Sequence, residues 1–169
     1  MEADELRALQ APLKERYRAS PGSAVVTLTA RGQLGDRVSC RVETGQALVE
    51  AGLHPATGGD GSLACSGDIL LQALAACAGV TLNAVATAIG VLLRGGTVTA
   101  EGDLDFRGTL GVAKDAPVGF AAIRLRFDLD ADASSDQLAT LQRLTERYCV
   151  VLRTIRDAPA VSVTCHAGA

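Results

Sequence analysis

Five cysteines and two histidines are the side chains of this 169-residue chain best suited to chemistry. A thiolate is both a nucleophile and a reductant, so a cysteine acts where its surroundings favour ionisation and leave the sulfur accessible. Cys77 stands in Ala75-Ala76-Cys77-Ala78-Gly79, where every neighbour is small and another element can approach the sulfur. Two readings stay open for it: a reactive thiol, or a small hydrophobe inside an apolar helix. It lies about three turns into its predicted helix, beyond the first turn over which the N-terminal dipole lowers a pKa. An apolar site would raise that pKa, so a working thiolate here needs a cation supplied by another element. Cys149 closes Glu146-Arg147-Tyr148-Cys149 and by itself reads as structural. Cys40 and Cys165 fall in phase with apolar strand residues and read as core packing. Cys65 lies in a loop, open to modification but with no role assigned. His54, Cys65 and His166 lack the spacing of metal ligands, so no metal site is expected. No Ser/His/Asp order, phosphate-binding glycine loop or carboxylate pair competes with the thiols.

Composition bounds what these thiols can serve. An apolar fraction of 48% supports a packed core rather than a disordered chain. Aromatics at 3%, with no Trp, leave few platforms on which bases could stack, and a net charge of -3 does not attract a polyanion. Neither nucleic acid nor an anionic membrane surface is therefore expected as a partner. An odd number of cysteines without a CxxC pair argues against a secreted disulfide framework. The start, Met1-Glu2-Ala3-Asp4-Glu5, is acidic and lacks the apolar run of a signal peptide. A reducing cytoplasm is the expected setting.

The positioning elements follow from periodicity. Residues 3–18 predict a helical arm with Leu6, Leu9, Leu13 and Tyr17 near one face, kinked or split at Pro12. Residues 1–20 are read as that arm and residues 21–169 as one domain. Ser23 to Arg31 and Arg37 to Thr44 alternate as two strands, joined by a five-residue hairpin link at 32–36. Residues 54–67 form a Gly-rich loop. Ile69 to Leu93 then carries no charge and is long enough to cross a membrane. Ala dominates it, Gln72, Thr81, Asn83 and Thr87 interrupt it, and no basic flank would orient it. It is therefore read as the central helix of a domain, capped by Ser66, started by Asp68 and closed by Arg94-Gly95-Gly96. Thr97 to Phe106 and Ala121 to Leu129 predict two further strands. Ser134 and Gln137 form a capping box for a second helix, whose continuity through Cys149 to Arg156 is left open. Val161, Val163 and Cys165 alternate as a last strand. The order is a helical arm, then β-β-α-β-β-α-β, an α+β class with two central helices on antiparallel sheet.

The run from Ser66 to Leu82 around Cys77 resembles the central helix of the OsmC/Ohr family of thiol peroxidases. Leu144-Thr145-Glu146-Arg147-Tyr148-Cys149 resembles that family's second cysteine motif, and the likeness spans roughly residues 23–166. The resemblance implies an intertwined homodimer with sites at the subunit interface. It implies that Cys77 is the peroxidatic cysteine and Cys149 the resolving one. It implies a substrate drawn from organic hydroperoxides, oxidative-stress defence, no bound cofactor, and an external dithiol reductant, either a protein or a lipoyl group. It also implies an arginine near the end of the first strand that holds the thiolate. Arg31 matches, with Arg37 as the fallback. Two positions depart from the family pattern. Ohr-type members carry Glu ten residues before the cysteine, where this chain has Gly67; Asp68, one step along, is the candidate supporting carboxylate. Many members have Pro after the second cysteine, where this chain has Val150.

Overall fold

The computed structural model describes residues 2–20, 31–34, 39–44, 47–111 and 113–166. Helix α1 (Ala3–Ala19) runs through Pro12 without a break. Ala8 and Pro12 are both exposed, so the carbonyl that Pro12 cannot serve is free to bond water, and the predicted split does not occur. Strands β1 (Arg31–Leu34), β2 (Ser39–Thr44), β3 (Ala47–Gly52) and β4 (Ala64–Cys65) form a four-stranded sheet in that order. β1 continues to Leu34, where a loop was expected from Gly32; residues 21–30 and 35–38 lie outside the described residues. β3 was not anticipated. It pairs antiparallel with β2, Thr44 opposite Ala47, and in parallel with β4. A 3-10 turn at Pro55–Thr57 follows β3, with the His54 ring nitrogen accepting from the Ala56 N–H at its start.

Helix α2 (Ser66–Ile89) is the centre of the molecule. Its cap lies one residue earlier than expected: Cys65 takes the N-cap position and Ser66 is the first helical residue. It also ends before Leu93. Gly90 adopts φ 74° and donates its N–H to the last-turn carbonyls, a left-handed stop that Gly adopts without steric cost. The chain then enters β5 (Leu92–Leu104), which pairs antiparallel along its length with β6 (Phe120–Asp132); a four-residue helix α3 (Phe106–Thr109) lies between them. The period-two pattern sets the faces as expected. Val98, Ala100, Ile123, Leu125 and Phe127 turn inward onto α2, while Arg124 pairs with Asp103 and Arg94 with Asp130 on the wet face.

Helix α4 (Ser135–Tyr148) starts on the predicted capping box: the Ser134 hydroxyl accepts from the Gln137 N–H at 3.3 Å, and the Gln137 amide oxygen accepts from the Ser134 N–H at 2.9 Å. It does not continue through Cys149. That residue leaves the helical region (φ -70°, ψ 108°), and α5 (Val150–Arg156) begins just after it. Leu74, Leu141, Cys149 and Thr145 are the largest fully buried side chains. Truncating either leucine to Ala would cost about 2–5 kcal/mol through lost transfer energy and a residual cavity. No strand forms at 161–165, where Val161 and Val163 are 82% and 88% exposed. Alternation specifies a face, but a strand also needs a neighbour for its backbone groups, and none of the described residues pairs with that segment.

Candidate functional site

Two of the five cysteines meet. Cys77 sits half-buried on α2, and Cys149 is fully buried at the α4–α5 junction. Both belong to one apolar cluster with Leu74, Ala78 and Leu152, walled by Val98, Ile123 and Leu125 from the sheet. Ala78 is fully buried in that cluster, so a bulkier side chain there would push the neighbouring elements off α2, whereas a Cβ on Gly79 would make only ordinary contact with Val98 at 3.6 Å. The helix break at Cys149 turns the first N–H groups of α5 toward the two sulfurs.

The surroundings set the acidities of the pair apart. Burial pushes the Cys77 thiol up. The Val151 N–H, the Cys149 thiol, the Val150 N–H and the Thr81 hydroxyl together outweigh burial and leave it below its ordinary value. Thr81 has one proton to give, and in this conformation it donates to the Cys77 carbonyl at 2.8 Å. Burial pushes Cys149 up, with the Cys77 sulfur adding to the rise and the Leu152 and Val151 N–H groups opposing it. Among the described residues these donors are neutral groups on α2 and at the α4–α5 junction; the expected cation falls on Arg31, whose side chain lies outside them.

The remaining candidates fall elsewhere. Arg31 heads β1 with Glu43 opposite it on β2, but its side chain lies outside the described residues, as does the whole of Arg37. The side chain of Cys40 also lies outside them. Cys165, read as core, is exposed, because the strand that would have buried it does not form. Asp68 is nine residues before Cys77, about half a turn round the helix and about 13 Å along it. It lines a separate cleft of about 370 Å³ with His54, Cys65 and Gly67. The His54 ring stacks on Phe106 there at 4.8 Å between centroids. Among the described residues, no three His, Cys, Asp or Glu side chains gather as a metal-ligand group.

At Gly67 the missing carboxylate has a packing counterpart. A Cβ there would meet Phe120 Cζ at 3.3 Å and Leu104 Cδ1 at 3.4 Å. Phe120 in turn lies flat against Gly102, where a Cβ would stand 2.4 Å from its ring. Two glycines thus seat one aromatic ring where a charged side chain was expected. A second feature escaped the sequence reading: a groove of about 860 Å³ between β6 and the α4–α5 helices, floored by Leu125, Phe127, Leu141 and Leu152 and edged by Glu146 and Arg156. Its only signal in the sequence is the shared apolar phase of β6 and α4.

Comparison with known proteins agrees with this architecture. A structure of an OsmC-like protein from Mycoplasma pneumoniae superposes with a TM-score of 0.67 at 16% identity, covering 79% of this chain and 89% of that one. An organic hydroperoxide resistance protein from Elizabethkingia anophelis gives 0.59 at 16% identity, covering 80% and 91%. An organic hydroperoxide resistance protein OsmC from Legionella pneumophila gives 0.59 at 17%, covering 79% and 92%. No curated protein matches the chain. The model of the family described as OsmC-like protein matches residues 59–164, which hold both Cys77 and Cys149, and the chain belongs to that family.

Proposed function

We propose that this chain is a thiol-dependent peroxidase that reduces organic hydroperoxides in oxidative-stress defence. The observation that carries the reading is the contact between a half-buried thiol of lowered pKa, Cys77, and a buried thiol of raised pKa, Cys149. The Cys77 thiolate attacks the distal oxygen of the hydroperoxide, the O–O bond breaks, and the leaving alkoxide takes a proton to become the alcohol. Cys77 is then a sulfenic acid. The Cys149 thiol attacks its sulfur, forming the Cys77–Cys149 disulfide and releasing water. An external dithiol, from a protein or a lipoyl group, reduces that disulfide to two thiols and is itself oxidised to a disulfide. The apolar wall around Cys77 favours an organic hydroperoxide over hydrogen peroxide. Arg31 is the candidate cation for the attacking thiolate, and Asp68 the candidate supporting carboxylate. No metal or organic cofactor enters this cycle, and its setting is the cytoplasm.

A homodimer fits the apolar surface that one copy leaves open. Val80 and Leu70 on α2 are 72% and 40% exposed, and a second copy packed on that face would cover them. Two solved structures of this fold are called organic hydroperoxide resistance proteins, which supports the reaction class.

The test treats the reduced protein with one equivalent of an organic hydroperoxide, then maps peptides without reduction. One Cys77–Cys149 disulfide is expected in the wild-type chain and none in Cys77→Ser. A free Cys77 thiol after oxidant is consumed elsewhere would sink the reading. A second reading, a non-catalytic dimer that binds an apolar small molecule, draws on the Phe120 ring packed at Gly67. It predicts a ligand-dependent rise in Tm with no turnover by any dithiol.

A further inference from the structure

Helices α4 and α5 are joined through a single non-helical residue, Cys149. Such a joint leaves the angle between the helices to whatever links them on either side. Two backbone bonds sit at the joint itself: the Cys149 N–H donates to the Thr145 carbonyl at 2.9 Å, and the Arg153 N–H donates to the Cys149 carbonyl at 2.9 Å. Farther out, Arg156 Nη1 donates to Glu146 Oε2 at 2.9 Å, ten residues apart and across the break. Among the described residues it is the one ion pair that joins α4 to α5. Glu146 is held in turn by the Gln142 amide, which donates to its other oxygen at 2.9 Å. These donors, Gln142 first and then Arg156, keep the Glu146 carboxyl below the usual carboxylate range, so the link is charged at neutral pH.

We propose that the Glu146–Arg156 pair is a positioning device that sets the α4–α5 angle and so holds the Cys149 sulfur against Cys77. The proposal rests on the disulfide-forming reading above and assigns the pair to one step of it. Once Cys77 is fully ionised, so that the α5 N–H groups no longer decide its protonation, its attack on the hydroperoxide does not use the angle. Attack by the Cys149 thiol on the Cys77 sulfenic acid does, because a sulfur displaced by an ångström leaves the line of approach. In that step the S–S bond forms, the Cys77 S–O bond breaks, and the oxygen leaves as water with the thiol and hydroxyl protons.

The test uses Glu146→Gln, Arg156→Gln and the charge-swapped double variant Glu146→Arg with Arg156→Glu. Two rates are followed at a pH above the Cys77 midpoint, after one equivalent of an organic hydroperoxide: trapping of the Cys77 sulfenic acid by dimedone, and appearance of the Cys77–Cys149 disulfide. Each single variant is expected to slow disulfide formation about two- to fivefold, the range open to a partly exposed ion pair, while sulfenic acid forms at the wild-type rate. The swapped pair is expected to restore the disulfide rate. Wild-type disulfide rates in both single variants would overturn the proposal and leave the peroxidase reading standing. A swapped variant as slow as the singles would also overturn it, since packing rather than pairing would then set the angle. Absence of the disulfide in the wild-type chain would remove the peroxidase reading and this proposal together.

Discussion

Cys149 has no exposed surface and lies against Cys77, a half-buried residue, and the two pKa values move in opposite directions. These directions favour ionisation of Cys77 before Cys149. This is the order a two-cysteine reaction needs, with the nucleophile ionised first and its neighbour kept as a proton donor until sulfenic acid appears.

The pH dependence follows from those directions. Cys77 alkylation by iodoacetamide should rise with pH through a midpoint below that of an ordinary thiol and level off above it. Cys149 should stay unmodified through that range, both buried and protonated. Because the thiols interact, the titration belongs to the pair, and Cys149→Ala should shift the Cys77 midpoint up by removing one donor. Mass-resolved alkylation across a pH series measures both. A Cys77 midpoint at or above that of a free thiol would contradict the geometry.

Thr145 offers a stability prediction. Its hydroxyl is fully buried, one turn before Cys149, and has no hydrogen-bond partner among the described residues. An unsatisfied buried hydroxyl costs about 1–3 kcal/mol, so replacing it with an isosteric methyl should stabilise the fold. Thr145→Val is expected to raise the unfolding free energy by about 1 kcal/mol in urea titrations, with the m-value unchanged. A loss of stability would mean that the hydroxyl has a partner in solution.

Gly67 shows that the expected family carboxylate cannot simply be restored. Gly67→Glu places a Cβ at 3.3 Å from Phe120 Cζ, and Phe120 cannot retreat toward Gly102, which it already touches. The variant should lose about 1–3 kcal/mol from overpacking, and a second change, Phe120→Ala, should recover part of it by making room. Thermal unfolding of the single and double variants measures the coupling. Additive losses would show that Phe120 is not the obstacle.

How much of this could be read from the sequence differs by element. The capping box at Ser134 and the alternation of β6 were legible because each is settled by a few neighbouring residues. β3 was missed because Leu48 and Val49 sit side by side and break the alternation, although Gly45-Gln46 before it is a hairpin-like pair. The strand expected at Val161 to Cys165 failed for the opposite reason: its pattern is clean, but pairing is a tertiary fact. The meeting of Cys77 with Cys149 depends on α2 crossing the α4–α5 joint, which no local pattern encodes. The α5 donors that lower Cys77 were invisible for the same reason, since they face it only because the helix breaks at Cys149.

Val150 gives the sharpest test of those donors. It occupies the first position of α5, where Pro is tolerated because its ring fits the helical φ and that N–H has no helical partner. In this chain the N–H is not idle: it faces the Cys77 sulfur and helps lower its pKa. Val150→Pro should therefore leave the fold nearly as stable, since the side chain is 70% exposed, yet remove one donor from the thiolate. The Cys77 alkylation midpoint should move up and the hydroperoxide rate at neutral pH should fall, while Tm changes little. The control is Val150→Ala, which keeps the N–H and should behave as wild type in both readouts. If Val150→Pro and Val150→Ala give the same midpoint, the Val150 N–H does not hold the thiolate, and the lowered pKa of Cys77 must come from the other donors around it.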